Sequence, residues 1–204
     1  LISQTNWIVQ PVQTNKYLNK VFFVNNNTGW IAGDSGLILK TSDKGQSWTE
    51  QNTGTFDNIF NIFFLNERLG WALTWLVIPD SASYTGTILL TTTNGGNNWQ
   101  KSKFEKSDHY LKTSFFLDSL TGFTSGAPSG MYKTVDGGNR WNLTQIDSNS
   151  GFILPLESIK FLNNLTGYAC GGVRDFAGTV WKTSNGGSLW ITSIVGPEPL
   201  NDFY

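Results

Sequence analysis

Four stretches of this chain carry one short pattern: TSDKGQSW at Thr41–Trp48, TTNGGNNW at Thr92–Trp99, TVDGGNRW at Thr134–Trp141 and TSNGGSLW at Thr183–Trp190. The shared element is Asp or Asn, any residue, Gly, two residues and Trp, and the tryptophans follow one another at intervals of 42 to 51 residues. Recurrence at intervals of this size is typical of repeat proteins, in which each copy is one supersecondary unit. The chain therefore has to be interpreted as an array of units.

Each motif ends a longer unit. An apolar run comes first, as in Ile62–Leu65 (IFFL), then a glycine followed by an aromatic residue, then a second apolar run that leads into the motif. The glycine–aromatic pairs are Gly29-Trp30, Gly70-Trp71, Gly122-Phe123 and Gly167-Tyr168. Four short β-type segments within about 40–50 residues are typical of one blade of a β-propeller.

We predict an all-β fold, a β-propeller segment of four-stranded antiparallel blades that forms one domain over residues 1–204. The four full blades cover about residues 18–52, 59–103, 111–146 and 156–195, with partial blades at 1–12 and 200–204. Because a new unit begins at Leu200 and the chain starts at Leu1, not at Met, we expect a processed or excerpted part of a larger ring.

The composition excludes several classes of protein. With 22 glycines, 9 tryptophans and only 14% charged residues, it suits tight turns and aromatic strands, and no helical periodicity is long enough to indicate a helical bundle. A net charge of −1 without a basic run argues against nucleic acid as a partner. The single cysteine, Cys170, excludes an intrachain disulfide and is expected to be buried. We see no transmembrane segment or signal peptide, and the Asn- and Thr-rich composition suits an exported bacterial protein, in the periplasm, outside the cell or at its surface.

The repeated motif has a structural explanation. Its glycine supplies a turn position with positive φ, its Asp or Asn oxygen accepts hydrogen bonds from turn amides, and its Trp packs between blades. The residues given these roles are Asp43, Gly45, Trp48, Asn94, Gly96, Trp99, Asp136, Gly138, Trp141, Asn185, Gly187 and Trp190. The alternative is calcium binding, which needs 6–8 oxygen ligands and usually several carboxylates. Since two motifs carry Asn, we expect no metal and no cofactor.

These motifs resemble Asp-box (BNR) repeats. The whole unit, seen best in Gly29–Thr41 (GWIAGDSGLILKT), resembles the photosystem II stability/assembly factor-like family of β-propellers over about residues 7–204. The resemblance implies a ring of several blades. For function it implies a non-catalytic scaffold that binds other proteins during assembly, and many relatives are exported bacterial proteins without a photosynthetic role.

Hairpin alternation assigns two faces to such an array. The turns between strands one and two and the Asp-boxes share one face (the box face), whereas the loops between strands two and three and the blade-to-blade links share the other (the loop face). Spacings are longer in blades two and four, where Trp75–Tyr84 and Val173–Phe176 are inserted on the loop face. Loops on a rigid scaffold often carry binding sites. We therefore predict that a protein or a surface glycan binds through Trp75, Asp80, Tyr84, Arg174, Asp175 and Phe176; the alternative is ordinary loop variation. His109, in a link, is expected at the surface.

A glycoside hydrolase of the sialidase or xyloglucanase type is the alternative function, since Asp-boxes occur in both. A sialidase needs clustered arginines, but Arg68 and Arg140 fall on the box face and Arg174 on the loop face. A xyloglucanase needs two carboxylates across a cleft, and the loop-face candidates Asp34, Asp80 and Asp175 lie in different blades without a spacing that pairs them. We therefore expect a protein that is not an enzyme.

Overall fold

Every regular element in the described part of the chain is a β-strand. The structure, a computed structural model, describes residues 9–10, 12–77, 84–148 and 153–202. Within them 17 strands form four sheets, in which consecutive strands pair antiparallel and only β13 (Gln145–Ser148) pairs in parallel, with β17 (Leu189–Gly196). The predicted all-β fold of four-stranded antiparallel blades is confirmed.

The sheets follow one another along the chain. Blade 1 contains β1 (Leu18–Phe23), β2 (Gly29–Gly33), β3 (Ile38–Thr41) and β4 (Thr49–Gln51). Blade 2 contains β5 (Ile59–Phe64), β6 (Gly70–Val77), β7 (Tyr84–Thr92) and β8 (Gln100–Lys103). Blade 3 contains β9 (Tyr110–Phe116), β10 (Gly122–Ala127), β11 (Met131–Thr134) and β12 (Asn142–Leu143). After β13 (Gln145–Ser148), blade 4 contains β14 (Leu156–Phe161), β15 (Gly167–Val173), β16 (Ala177–Thr183) and β17 (Leu189–Gly196).

The outer strand of blade 3 is shorter than the sequence indicates. Antiparallel pairing with β11 ends after Leu143, and the chain then pairs in parallel with β17 of blade 4 through β13. The change of sheet occurs at Thr144, whose backbone N–H and hydroxyl both donate to Met131 O (2.8 and 3.0 Å). Blade 4 is therefore a five-stranded sheet, because the link from blade 3 covers its outer edge.

The predicted partial blades do not appear as strands in the described residues. Val9, Gln10 and Val12 are not in strands, and the rest of residues 1–12 lies outside the described part. Val12 packs beside the buried cluster of Ile31, Leu37 and Leu39. Likewise Leu200–Asp202 form no strand, although Leu200 N–H donates to Gly171 O (3.0 Å).

Blades are joined by stacked aromatic rings. The ring after the glycine of one blade lies on the phenylalanine that ends the first strand of the next blade. Trp30 stacks on Phe64 with centroids 3.4 Å apart, and Trp71 stacks on Phe116 at 3.5 Å. Phe123 repeats the contact with Phe161 at 4.6 Å. Aromatic pairs contribute about 0.5–1.5 kcal/mol beyond the burial of their area, so this contact stabilises each blade boundary.

The glycine of each glycine–aromatic pair makes room for the ring of its own blade. A Cβ atom at Gly29, Gly70, Gly122 or Gly167 would lie 2.4–2.8 Å from the ring of the phenylalanine that ends the same blade's first strand. Only glycine lets that ring lie flat against the second strand. The repeated glycine is therefore a packing requirement of the blade boundary.

The Asp-box closes the turn between the third and fourth strands. In blade 1 the Asp43 carboxylate accepts hydrogen bonds from Thr41 Oγ1 (2.7 Å), Ser47 N–H (2.9 Å) and Ser47 Oγ (2.5 Å). Gly45 has φ +86° and donates its N–H to Thr41 Oγ1 (2.9 Å). Trp48 Nε1 donates to Gly45 O (3.1 Å). In blade 1 the Thr, Asp, Gly and Trp of the motif thus form one self-contained hydrogen-bond network.

The other three boxes repeat the hydrogen bonds of the Thr hydroxyl with the Asp or Asn oxygen and with the Gly N–H, whereas the Trp–Gly bond recurs only at Trp141. The carboxamide oxygen of Asn94 accepts from Thr92 Oγ1 (3.0 Å) and Asn98 N–H (2.9 Å), as the carboxylate does in blade 1. The glycines Gly96, Gly138 and Gly187 have φ values of +93°, +99° and +72°. Each box tryptophan also meets the phenylalanine of its own blade edge-on, as for Trp99 on Phe64 (5.9 Å, 83°). The boxes therefore hold the turn and support the stacked ring.

Cys170 is fully buried in β15, as expected for a free cysteine. Burial raises the pKa of its thiol to about 11. The thiol therefore stays protonated and unreactive at neutral pH.

A first prediction tests the glycine at the blade boundary. We expect Gly70→Ala to lower the free energy of unfolding by about 1–3 kcal/mol, because overpacking of a filled core has this cost and the new Cβ would lie 2.5 Å from the Phe64 ring. Gly196→Ala, in strand β17, is the matched control because no atom lies within 4 Å of its Cβ position. Urea denaturation measures both, and equal losses in the two variants would contradict the packing role.

A second prediction concerns Asp43. Hydrogen bonds from the Ser47 side chain and backbone, and from Thr41, lower the pKa of this carboxyl to about 2. A pKa below the unfolded value of about 4 means that the ionised form stabilises the fold above pH 4, and that this contribution is lost as the pH falls towards 2.

We expect Asp43→Asn to be slightly less stable than the wild type at pH 7, because Asn keeps the acceptor oxygen, as it does in blades 2 and 4. The difference should disappear as the pH falls from 4 to 2. Unfolding of both proteins in urea at several pH values measures it. Ser47→Ala, which removes the strongest donor, should weaken the same pH dependence, and a difference that grows in acid would refute this account.

Candidate functional site

The first strands of neighbouring blades lie against one another at the centre of the array, and we call β1, β5, β9 and β14 the inner strands. Asn19 Nδ2 on β1 donates to Ile59 O at the start of β5 (3.1 Å). Lys112 on β9 forms an ion pair with Glu157 on β14. Side chains from all four blades therefore meet in one central region.

Each inner strand contains one residue that is skipped in the pairing with the second strand of its blade. In β1 the pairing passes from Leu18–Gly33 to Lys20–Ala32 and leaves out Asn19. The equivalent shifts in the other three blades leave out Phe60, Lys112 and Glu157. Such β-bulges redirect side chains and are common beside functional sites.

All four bulged residues line one cavity of about 300 Å³ at the loop-face end of the inner strands. The cavity is completed by Lys20, Asn61 and Trp75. Larger clefts of about 420 and 440 Å³ lie beside the outer strand of blade 1 and between the box turns of blades 2 and 3. The smaller central cavity is the stronger candidate because every blade contributes a side chain to it.

Trp75 forms an aromatic wall of this central cavity. Its ring lies 4.2 Å from that of Phe60 and 5.8 Å from that of Tyr110, measured between centroids. Its Nε1 donates to Leu111 O on the inner strand of blade 3 (2.9 Å). These contacts fix the half-buried ring at the cavity, so the structure gives this predicted binding residue a defined position.

The polar lining of the central cavity contains both positively and negatively charged side chains. Lys112 and Glu157 neutralise each other in their half-buried pair. Lys20 is exposed and forms no ion pair with a described residue. Asn61 is 8% exposed and its Oδ1 accepts from Ser114 Oγ (3.1 Å). Lys20 therefore provides the cavity with an ammonium group that is free to meet a ligand.

The sequence prediction missed Asn19, Lys20, Phe60, Lys112 and Glu157. The signal lay in the alignment of the units, because the residue after the first Leu or Ile of each inner strand is Asn, Phe, Lys and Glu in turn, while the residue before it is always Leu or Ile. The bulged side chains face the same cavity because of the β-bulge. A β-bulge depends on the pairing between two strands, so it cannot be predicted from the sequence of one strand.

Among the other predicted binding residues, Arg174, Asp175 and Phe176 do not line the central cavity. Arg174, Asp175 and Phe176 form the exposed turn between β15 and β16, with Phe176 53% exposed and Asp175 at φ +57°. Tyr84 begins β7 and pairs with Val77. Asp80 lies outside the described residues. The insertions therefore extend two loop-face hairpins, in blades 2 and 4.

His109 is not the surface residue that we expected, because its side chain is only 13% exposed. Its Nε2 lies 2.7 Å from the Tyr132 hydroxyl and its Nδ1 lies 2.9 Å from Asp108 Oδ1. Burial raises the pKa of Tyr132, and the hydrogen bond with His109 lowers the pKa of Asp108. This chain of contacts ties the link after blade 2 to β11 and has a structural role.

The described residues do not form a hydrolytic pair of carboxylates at the cavity. Glu157 is bound to Lys112, and Asp34 accepts a hydrogen bond from Asn19 Nδ2 (2.9 Å) inside the turn after β2. The described ranges also contain no cluster of three or more His, Cys, Asp or Glu side chains arranged for a metal ion. What the cavity offers is hydrogen bonding, one free positive charge and an aromatic wall.

Across residues 9–10, 12–77, 84–148 and 153–202, no helix has the length and apolar character needed to cross a bilayer.

Comparisons with known proteins agree with this architecture. Residues 2–108 match the family described as photosynthesis system II assembly factor YCF48. The photosystem II assembly lipoprotein Ycf48 of Synechococcus sp. (strain CC9902) is 23% identical over 97% of this chain, which spans 58% of that relative. The solved structure of YCF48 bound to D1 peptide superimposes with a TM-score of 0.68 at 18% identity, covering 95% of this chain and 58% of its own.

A glycoside hydrolase has a similar fold. An ancestral GH74 enzyme superimposes with a TM-score of 0.63 at 20% identity, over 89% of this chain and 24% of the enzyme. At such identity the likeness concerns the fold alone. The family match, by contrast, covers more than half of the chain, and this protein therefore belongs to the Ycf48 family of photosystem II assembly factors.

Proposed function

We propose that this protein is a non-catalytic assembly scaffold that binds a segment of another protein at its loop face. The observation that carries the proposal is the central cavity, to which all four blades contribute a bulged side chain. A relative named for photosystem II assembly and another bound to D1 peptide support a polypeptide as the ligand.

The size and lining of the cavity suit one part of an extended polypeptide. About 300 Å³ is at the lower limit of small-molecule sites and accommodates one or two side chains. Trp75 and Phe60 offer apolar area, and Asn19 and Asn61 lie beside them with amide groups. The remainder of the segment would lie across the loop face.

We further propose that the two extended hairpins form the outer contacts. Trp75 fixes the hairpin of blade 2 to the inner strand of blade 3, and the proposed contacts Asp80 and Tyr84 follow it in the sequence. In blade 4, Phe176 presents an exposed ring between Arg174 and Ala177. Large exposed aromatic side chains are frequent anchors at interfaces.

The proposed location is outside the cytoplasm, at a membrane surface. A relative of similar sequence is named as a lipoprotein, and a lipid anchor holds an exported protein at a membrane. This agrees with the exported location expected from the composition.

The test of the function is direct binding. We expect a labelled D1 peptide to bind the wild type more tightly than a scrambled peptide of the same composition. Phe176→Ala, which removes a ring that is 53% exposed, should weaken binding by about 1–2 kcal/mol, as for an interface anchor. Val135→Ala, 63% exposed in a box turn, is the matched control and should bind as the wild type does. Equal binding of both peptides would contradict the proposal.

The glycosidase alternative has its own assay. We expect no turnover of xyloglucan or of aryl glycosides by the wild type. Hydrolysis that is lost in Glu157→Gln, Asp34→Ala, Asp80→Ala or Asp175→Ala would show instead that the protein is an enzyme.

A further inference from the structure

The central cavity has an electrostatic asymmetry that indicates what its ligand carries. Its charged lining consists of two ammonium groups and one carboxylate, from Lys20, Lys112 and Glu157. The carboxylate of Asp34 lies nearby but is bound by Asn19 Nδ2 (2.9 Å). Without a ligand, one positive charge of the lining is therefore not neutralised by a described carboxylate.

The two lysines differ in how they are held. Lys112 and Glu157 are 32% and 28% exposed in their side chains and bound to each other. A half-buried pair has already lost part of its hydration, so its members bind a competing charge more readily than fully hydrated groups do. Lys20 is exposed and one residue beyond the bulge of β1. A ligand anion placed between the two lysines would contact Lys20 directly and would compete with Glu157 for Lys112.

The remaining walls restrict the ligand further. The rings of Phe60 and Trp75, 4.2 Å apart between centroids and tilted by 35°, form an apolar side, which favours a group with hydrocarbon next to its charge. A carboxylate on an aliphatic stem offers both a negative charge for the lysines and hydrocarbon for the aromatic side. A strongly hydrated inorganic anion offers only the charge. The cavity therefore favours a ligand group that combines a negative charge with apolar surface.

We propose that the central cavity binds a carboxylate of the partner polypeptide and that Glu157 weakens this binding by holding Lys112. This inference rests on the proposed function, because it names the group that the loop-face ligand presents. The carboxylate is either an acidic side chain or the C-terminus of the bound segment. Two of the three charged groups, Lys112 and Glu157, are bulged residues of their inner strands, and the third, Lys20, directly follows the bulge of β1.

The experiment uses three labelled short peptides that share one apolar sequence and differ in their carboxylates. The first carries a central Glu and an amidated C-terminus, the second a central Gln and a free C-terminus, and the third a central Gln and an amidated C-terminus. We expect the first or the second to bind the wild type more tightly than the third, and which one does so identifies the source of the carboxylate. Equal binding of all three would overturn the inference.

Variants then test the roles of the charges. We expect Lys20→Gln to weaken binding of the preferred peptide about threefold to tenfold and Glu157→Gln to strengthen it by a similar factor, since partly exposed charges act on this scale. Lys103→Gln on the outer strand β8, fully on the surface, is the control and should have no effect. Thermal unfolding verifies that each variant is folded.

Two outcomes separate this inference from the proposed function. If Glu157→Gln fails to strengthen binding and Lys20→Gln fails to weaken it, the carboxylate site is refuted, even where Phe176→Ala still reduces binding of the D1 peptide. If the charge variants behave as expected but Phe176→Ala has no effect, the cavity is supported and the outer contact at blade 4 is refuted.

Discussion

The stacking of an aromatic ring on the first-strand phenylalanine of the next blade is the contact on which this structure depends. Phe64, Phe116 and Phe161 are at most 8% exposed beneath such rings, whereas Phe23 of blade 1, which has no ring stacked on it in the described part of the chain, is 43% exposed. Since every boundary reuses the contact, the repeated glycine and aromatic residue have to recur together.

The Asp-box supports that contact from a distance. The Nε1 atoms of Trp30 and Trp71 donate to carbonyl groups in the box turn of the following blade, at Gly95 O (3.3 Å) and Gly137 O (2.9 Å). A turn that is closed by its own hydrogen bond from Thr to Asn or Asp offers these carbonyls in a fixed position. The box is thus part of the blade boundary, and this explains why it needs an acceptor oxygen but not a charge.

The sequence allowed the fold to be predicted because its signals are local and repeated: turn glycines, a box and alternating apolar runs. The site was less predictable. Trp75 was identified as an irregular aromatic residue, but the bulge that directs Lys112 into the cavity exists only through pairing with β10. Burial of His109 and the passage of β13 to blade 4 likewise depend on contacts between distant segments. Long-range geometry of this kind has no signature in a single stretch of sequence.

The packing required at the blade boundary also explains why the residues of the central cavity lie at the β-bulges. In β5, β9 and β14 the Leu or Ile at the start of the strand and the phenylalanine at its end are buried and packed, as Ile59 and Phe64 show. The bulged residue leaves the pairing register and faces the cavity, so its identity is free of the demands of the blade boundary. Four equivalent positions can then carry an amide, an aromatic ring, a cation and an anion on one scaffold. The repeated packing residues form the rigid scaffold, and the bulged residue of each blade contributes a different functional group to the cavity.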